Sequence, residues 1–263
     1  MQYKNHFLTD AIIRIDFTSP IDPIKRELVA EVRNCCIKHF PLVEERNIET
    51  QEVVVNNGPA GQSTMINKEQ IKEWHFWSKT RGSELCVAPN CLFVNYKTDY
   101  VSFEKFIEPF FEVLAQIVSS YPGVKINRIG LRYIDQINLP LDKKPRKDWM
   151  TYWKKYINST LISGLQFADQ DAAICRHMNS IEMNYGDYIL HFQYGIFNED
   201  YPAPNKKNQF ILDTDVYTTG LFDANDVLEY TTKFHEQVKL WFEKAIKDDL
   251  RKIMGVVENN GAE

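Results

Sequence analysis

From Ala11 to Phe17 apolar and polar positions alternate, with Ala11, Ile13, Ile15 and Phe17 on one side and Arg14 and Asp16 on the other, which predicts a half-buried strand ended by Pro20 and Pro23. Asp22 with a proline in the first turn opens a helix, and Ile24, Leu28, Val32, Cys35 and Cys36 recur at helical spacing until Pro41 stops it. Val53, Val54 and Val55 mark a strand over 49–56, and Asn57 to Gly61 form a loop by their turn chemistry. Strands over 73–79 and 85–96 follow, joined by a hairpin turn at Arg81, Gly82 and Ser83. Ser102 then caps a helix with a wide apolar stripe that includes Phe103, Phe106, Phe110, Val113, Leu114 and Ile117.

The same succession returns. Ile126 to Asn138 reads as a long strand, a helix surrounds Trp149, Trp153 and Ile157, and three strands follow over 172–184, 188–197 and 210–218. Gly186 and Asp187 supply a tight turn, Pro202 to Asn208 a polar surface loop, and Asp223 caps a last helix whose stripe includes Val227, Phe234, Val238, Trp241 and Phe242 and runs on toward Ile253. Phe93 to Tyr96 ahead of Ser102 mirrors Asp213 to Tyr217 ahead of Asp223. Element order and periodicity therefore predict an α+β fold, a tandem repeat of two β-α-β-β-β-α halves, with a mainly antiparallel sheet and long helices packed on one face. The halves are expected at 1–121 and 122–254, followed by a flexible tail over 255–263.

Composition narrows the function classes more than it selects one. A chain of 263 residues that is 44% apolar holds ample material for a core. The formal net charge of −5 argues against a global footprint for nucleic acid or anionic membrane, so nucleic acid is not favoured as a partner. The one basic run, Lys143, Lys144, Arg146 and Lys147, is broken by Pro145 and flanked by Asp142 and Asp148, which suits a solvated loop. No cysteine pair has C-x-x-C spacing, so Cys35, Cys36, Cys86, Cys91 and Cys175 read as reduced thiols packed as small hydrophobes. No stretch approaches the ~20 uncharged apolar residues of a membrane span, and the first residues lack a secretory apolar segment. A cytoplasmic protein without cofactors is the expectation.

Candidate chemistry centres on Arg128, Ile129, Gly130, Leu131, Arg132, Tyr133, Ile134 and Asp135. Strand parity sends Arg128 and Arg132 to one side and Ile129, Leu131, Tyr133 and Asp135 to the other. Two arginines on one face suit a phosphate or carboxylate held by bidentate bonds, and they equally suit pairing with acids on neighbouring strands. Asp213 and Asp215 share a face with Tyr217; paired carboxylates bind divalent cations or act as acid and base, and Glu182 joins them only if the strand register permits. The six histidines (His6, His39, His75, His177, His191 and His235) are scattered, with no H-x-x-x-H pair and no cysteine partner at metal-ligand spacing. Trp74, Phe76 and Trp77 beside Tyr96 suit either a base-stacking platform or a core. G-x-S-x-G, Walker and G-x-G-x-x-G motifs are absent, which disfavours common hydrolases, P-loop NTPases and Rossmann enzymes.

The segments Phe7 to Phe17 and Arg128 to Ile137, with Leu212 to Tyr217 ahead of the His235 to Ile246 helix, resemble a sporadically distributed family of uncharacterised prokaryotic proteins with an Arg128-to-Tyr133-like string opening its second half. The resemblance implies no catalytic residues. Its patchy distribution is similar to that of mobile defence and toxin-antitoxin genes. Three readings are ranked in order. The first is a non-catalytic interaction or sensing protein, acting with the product of a neighbouring gene in antiviral defence or as an antitoxin-like partner. The second is a module that binds an anionic small molecule or nucleotide through Arg128, Arg132 and Tyr133. The third is a metal-dependent nuclease or phosphodiesterase using Asp213 and Asp215. It is placed last, and an enzyme is disfavoured, because no set of residues has the spacing of a catalytic constellation.

Overall fold

The computed structural model describes residues 3–58, 61–139, 149–170, 173–203, 205 and 209–255. Its strands are β1 (Leu8–Phe17), β2 (Leu42–Gly58), β3 (Gly61–Trp77), β4 (Ser83–Val87), β5 (Cys91–Tyr96), β6 (Ile126–Asn138), β7 (His177–Asn184), β8 (Ile189–Ile196) and β9 (Gln209–Phe222). Its helices are α1 (Ala30–His39), α2 (Phe103–Ser120), α3 (Trp149–Trp153), α4 (Ala224–Ala245) and α5 (Asp248–Met254). The fold is α+β, with a large antiparallel sheet whose strands hydrogen-bond in the order β2-β3-β4-β5-β1-β6-β9-β8-β7. No helix among the described residues is long and apolar enough to cross a membrane. The Lys143 to Lys147 run, the tail beyond Gly255 and parts of the Asn57 to Gly61 and Pro202 to Asn208 connections lie outside the described residues.

The chain divides into two compact units. One is formed by Ile12–Ile129 and Thr219–Glu229. Here Ser102 caps α2 by accepting a hydrogen bond from the Lys105 N–H at 3.4 Å, and the helix buries Phe106, Phe110, Val113, Leu114 and Ile117 at its helical spacing. Phe40 and Phe106 both meet the Tyr96 ring edge-on, with centroids 6.1 and 5.5 Å away. Trp74 closes the core near the 3-10 turn Asp22–Lys25 by donating its indole N–H to the Ile24 carbonyl at 3.0 Å.

The other unit is formed by Met1–Ala11, Gly130–Thr218 and Tyr230–Glu263. Its core joins α3 and α4 to the sheet through ring contacts: Trp153 with Phe210, Tyr188 with Phe234 and Phe192 with Trp241. Gly186, at φ 94°, makes the turn between β7 and β8 in the left-handed region that favours glycine. Lys233 and Asp187 form an ion pair between α4 and that turn.

Several expected elements differ, each for a local reason. The first helix starts at Ala30, because the chain makes a 3-10 turn at Asp22–Lys25 and is extended at Val29, an arrangement that still buries Ile24, Leu28 and Val32. The strand expected over 85–96 is two strands. Pro89 and Asn90 are turn residues, and the Ala88 N–H closes the hairpin on the Cys91 carbonyl at 2.9 Å. The strand expected from 172 begins at His177, and the last helix is interrupted at Ile246 and Lys247 before α5. The largest difference is in β2 and β3. They pair continuously from Leu42 opposite Trp77 to Gly58 opposite Gly61, whereas alternation marked only 49–56 and 73–79.

Candidate functional site

Strand β6 displays the expected residues on its two faces. Arg132 donates from Nε and Nη2 to the two Asp213 carboxylate oxygens at 2.8 and 2.6 Å, a bidentate pair between β6 and β9. Asp213 is nearly buried and Arg132 half-exposed, and the carboxylate raises the guanidinium pKa above its ordinary value. Arg128 lies 3.9 Å from Asp16, which in turn accepts from Arg14 Nε at 2.8 Å. Tyr133 points to the helix-covered face, its hydroxyl 3.0 Å from His235 Nδ1 on α4. Arg132 and Tyr133 therefore belong to separate arrangements, as parity requires.

On the Asp213 face the register answers what spacing left open. Glu182 stands opposite His191, and His191 opposite Asp215, so one row crosses β7, β8 and β9. The Ser180 hydroxyl lies 2.7 Å from His191 Nε2. Among the described residues this row brings no three His, Cys, Asp or Glu donors within 4.8 Å of one another. Among the described residues the one group of His, Cys, Asp or Glu donors drawn within 4.8 Å of one another is Glu73, His75 and Cys86.

That group follows from strand pairing. His75 is the direct cross-strand partner of Cys86, and Glu73 precedes it by two residues on the same face of β3. His75 Nε2 is 3.2 Å from Glu73 Oε2 and 3.8 Å from Cys86 Sγ, while Nδ1 is 2.5 Å from Glu84 Oε1. His75 and Cys86 are buried, and burial pushes the Cys86 thiol well above the ordinary thiol range. The sequence showed no cysteine at ligand spacing from any histidine, because separation along the chain says nothing of cross-strand distance.

No protein-family model and no curated protein matches this chain. Its chemistry has to be read from its own residues.

Two surface features complete the inventory. A pocket of about 400 Å³ is lined by residues that include Leu165, Phe167, Cys175, Arg176, His177 and Tyr201. Phe167 is 97% exposed, and the Arg176 guanidinium lies over the Tyr201 ring at 5.5 Å. The second feature is the ribbon of β2 and β3. β4 pairs with β3 only from Trp74 to Trp77, so from Gly61 to Glu73 the sole strand beside β3 among the described residues is β2. At about 3.4 Å per residue this is roughly 40 Å of two-stranded ribbon, with no third strand paired to it among the described residues.

Proposed function

We propose that this chain is a non-catalytic interaction or sensing protein that engages a protein partner through the β2–β3 ribbon. The observation that carries the proposal is the ribbon's length past β4. A two-stranded ribbon is only marginally stable in water by itself, and open strand edges are templates for another chain. A partner that adds a strand or covers an edge would pair backbone groups along the ribbon. The exposed Phe167 and Tyr201, with Arg176, form a second patch of residue types that anchor interfaces.

The partner we have in mind is the product of a neighbouring gene in a phage-defence or toxin-antitoxin type system, in line with the resemblance drawn from the Arg128 to Asp135 string. The proposal includes the tandem repeat. In support, β1 and β6, which open the two halves, are neighbours in the strand order, and each is followed outward by the last strand before a long helix, β5 and β9. The first half carries one strand more than the second.

The anionic-ligand reading has less support, because an anion at Arg132 has to displace a carboxylate already bonded at two atoms. Stabilisation of the wild type in a thermal-shift panel of nucleotides would reverse that ranking. The deciding test is purification of the native complex from cells, reconstitution with the purified partner, and replacement of residues 51–67 by a short turn. The shortened chain is expected to keep its circular dichroism spectrum and lose the partner. Retention of the partner at wild-type affinity refutes the assignment to the ribbon, and a wild-type chain that elutes alone from every preparation refutes the interaction reading.

A further inference from the structure

We propose that Glu73, His75 and Cys86 form a three-ligand zinc site at the root of the β2–β3 ribbon. The proposal is independent of any partner. Zinc takes imidazole nitrogen and carboxylate oxygen at about 2.0–2.2 Å and thiolate sulfur at about 2.3 Å in a tetrahedron. Tetrahedral angles then set nitrogen and oxygen ligands about 3.4 Å apart and sulfur and nitrogen about 3.6 Å apart. The observed separations are 3.2 Å from Glu73 to His75 and 3.8 Å from Cys86 to His75, so two of the three ligand edges are already close to those a zinc ion imposes, and the third lies within 4.8 Å.

The chemistry of the donor set selects the metal. One sulfur, one nitrogen and one oxygen suit a borderline ion and exclude calcium or magnesium, which take oxygen ligands throughout. Glu84 at Nδ1 supplies the outer carboxylate that a ligating imidazole ordinarily has: it directs Nε2 toward the ion and fixes the ring. Two carboxylates and a buried thiol surround one imidazole, with the Arg46 guanidinium near enough to act on Cys86 and Glu84, and a divalent ion would join three of these donors directly. The fourth coordination position is left to water or to a ligand from a partner.

The placement has a mechanical consequence. Glu73 is the first residue of β3 beyond its pairing with β4, and Cys86 is on β4, so the ion ties the start of the ribbon to the sheet.

The test uses the full chain, stripped with a chelator under reducing conditions and dialysed against limiting zinc chloride, with bound metal measured by atomic emission. The expected result is one zinc per chain in the wild type and in Cys35→Ser, none in Cys86→Ser, and a roughly 10–100-fold weaker affinity in Glu84→Gln. With Co(II) as probe, the wild type should show a thiolate-to-metal charge-transfer band that Cys86→Ser lacks. If Cys86→Ser does not fold by circular dichroism, the same band is compared between the wild type and His75→Gln. A wild type that retains no zinc, a Co(II) spectrum without the thiolate band, or equal zinc uptake by wild type and Cys86→Ser overturns the proposal.

Discussion

On one face of β6, Asp213 receives two hydrogen bonds from Arg132. On the other face, Asp135 stands between buried Tyr133 and Ile137, and among the described residues its carboxylate has no hydrogen-bond or ion-pair partner. Burial alone pushes the Asp135 carboxyl up to about 7. Both acids are removed from bulk water to a similar degree, yet one is bonded at both oxygens by a guanidinium and the other is favoured in its neutral form below neutral pH. What separates them is the partner rather than the depth.

The largest effect is expected from Asp135→Asn. Because the folded pKa lies above the unfolded value of 3.8, the acid's contribution is fully present below pH 4 and is lost as pH rises through 7. That difference is on the order of 4 kcal/mol. Urea unfolding of both proteins from pH 4 to pH 8 should show Asp135→Asn gaining on the wild type as pH rises. A constant gap across that window breaks the comparison.

Next comes Asp213→Asn, expected to cost about 1–2 kcal/mol, since a charge-assisted bidentate pair is lost but half-exposed Arg132 finds water instead. A change in the denaturation midpoint at constant m-value measures it. Tyr133→Phe removes the hydrogen bond between its hydroxyl and His235 and should cost about 1 kcal/mol. The smallest effect is expected at Arg128→Ala, within about 0.5 kcal/mol, because the 3.9 Å contact with Asp16 is a partly exposed pair. If Arg128→Ala costs more than Asp213→Asn, the arginine face of β6 is organised around Arg128.

Much of the fold was legible. β6 runs over Ile126–Asn138 as alternation placed it, and Ser102 caps α2. These elements lie against a core, and a core imposes the periodicity by which they are recognised. The ribbon was legible only in part, because alternation marks a strand when one of its faces is apolar, and β3 reads Gln62, Ser63, Thr64 and then Asn67 to Gln70 with little contrast. Pro89 and Asn90 held a turn signal that the surrounding Val, Leu and Phe content obscured.

The candidate sites divide in the same way. Strand parity alone separated Arg128 and Arg132 from Tyr133 and Asp135, because successive side chains on any strand point to opposite faces. The choice of partner was decided only by strand pairing. Asp213 lies far from Arg132 along the chain and becomes its ion pair across β6 and β9, and Cys86 meets His75 because β3 and β4 are in register. A sequence determines which residues share a face of one strand. Which residues of different strands touch is set by sheet order and register, and these depend on contacts distributed over the whole core.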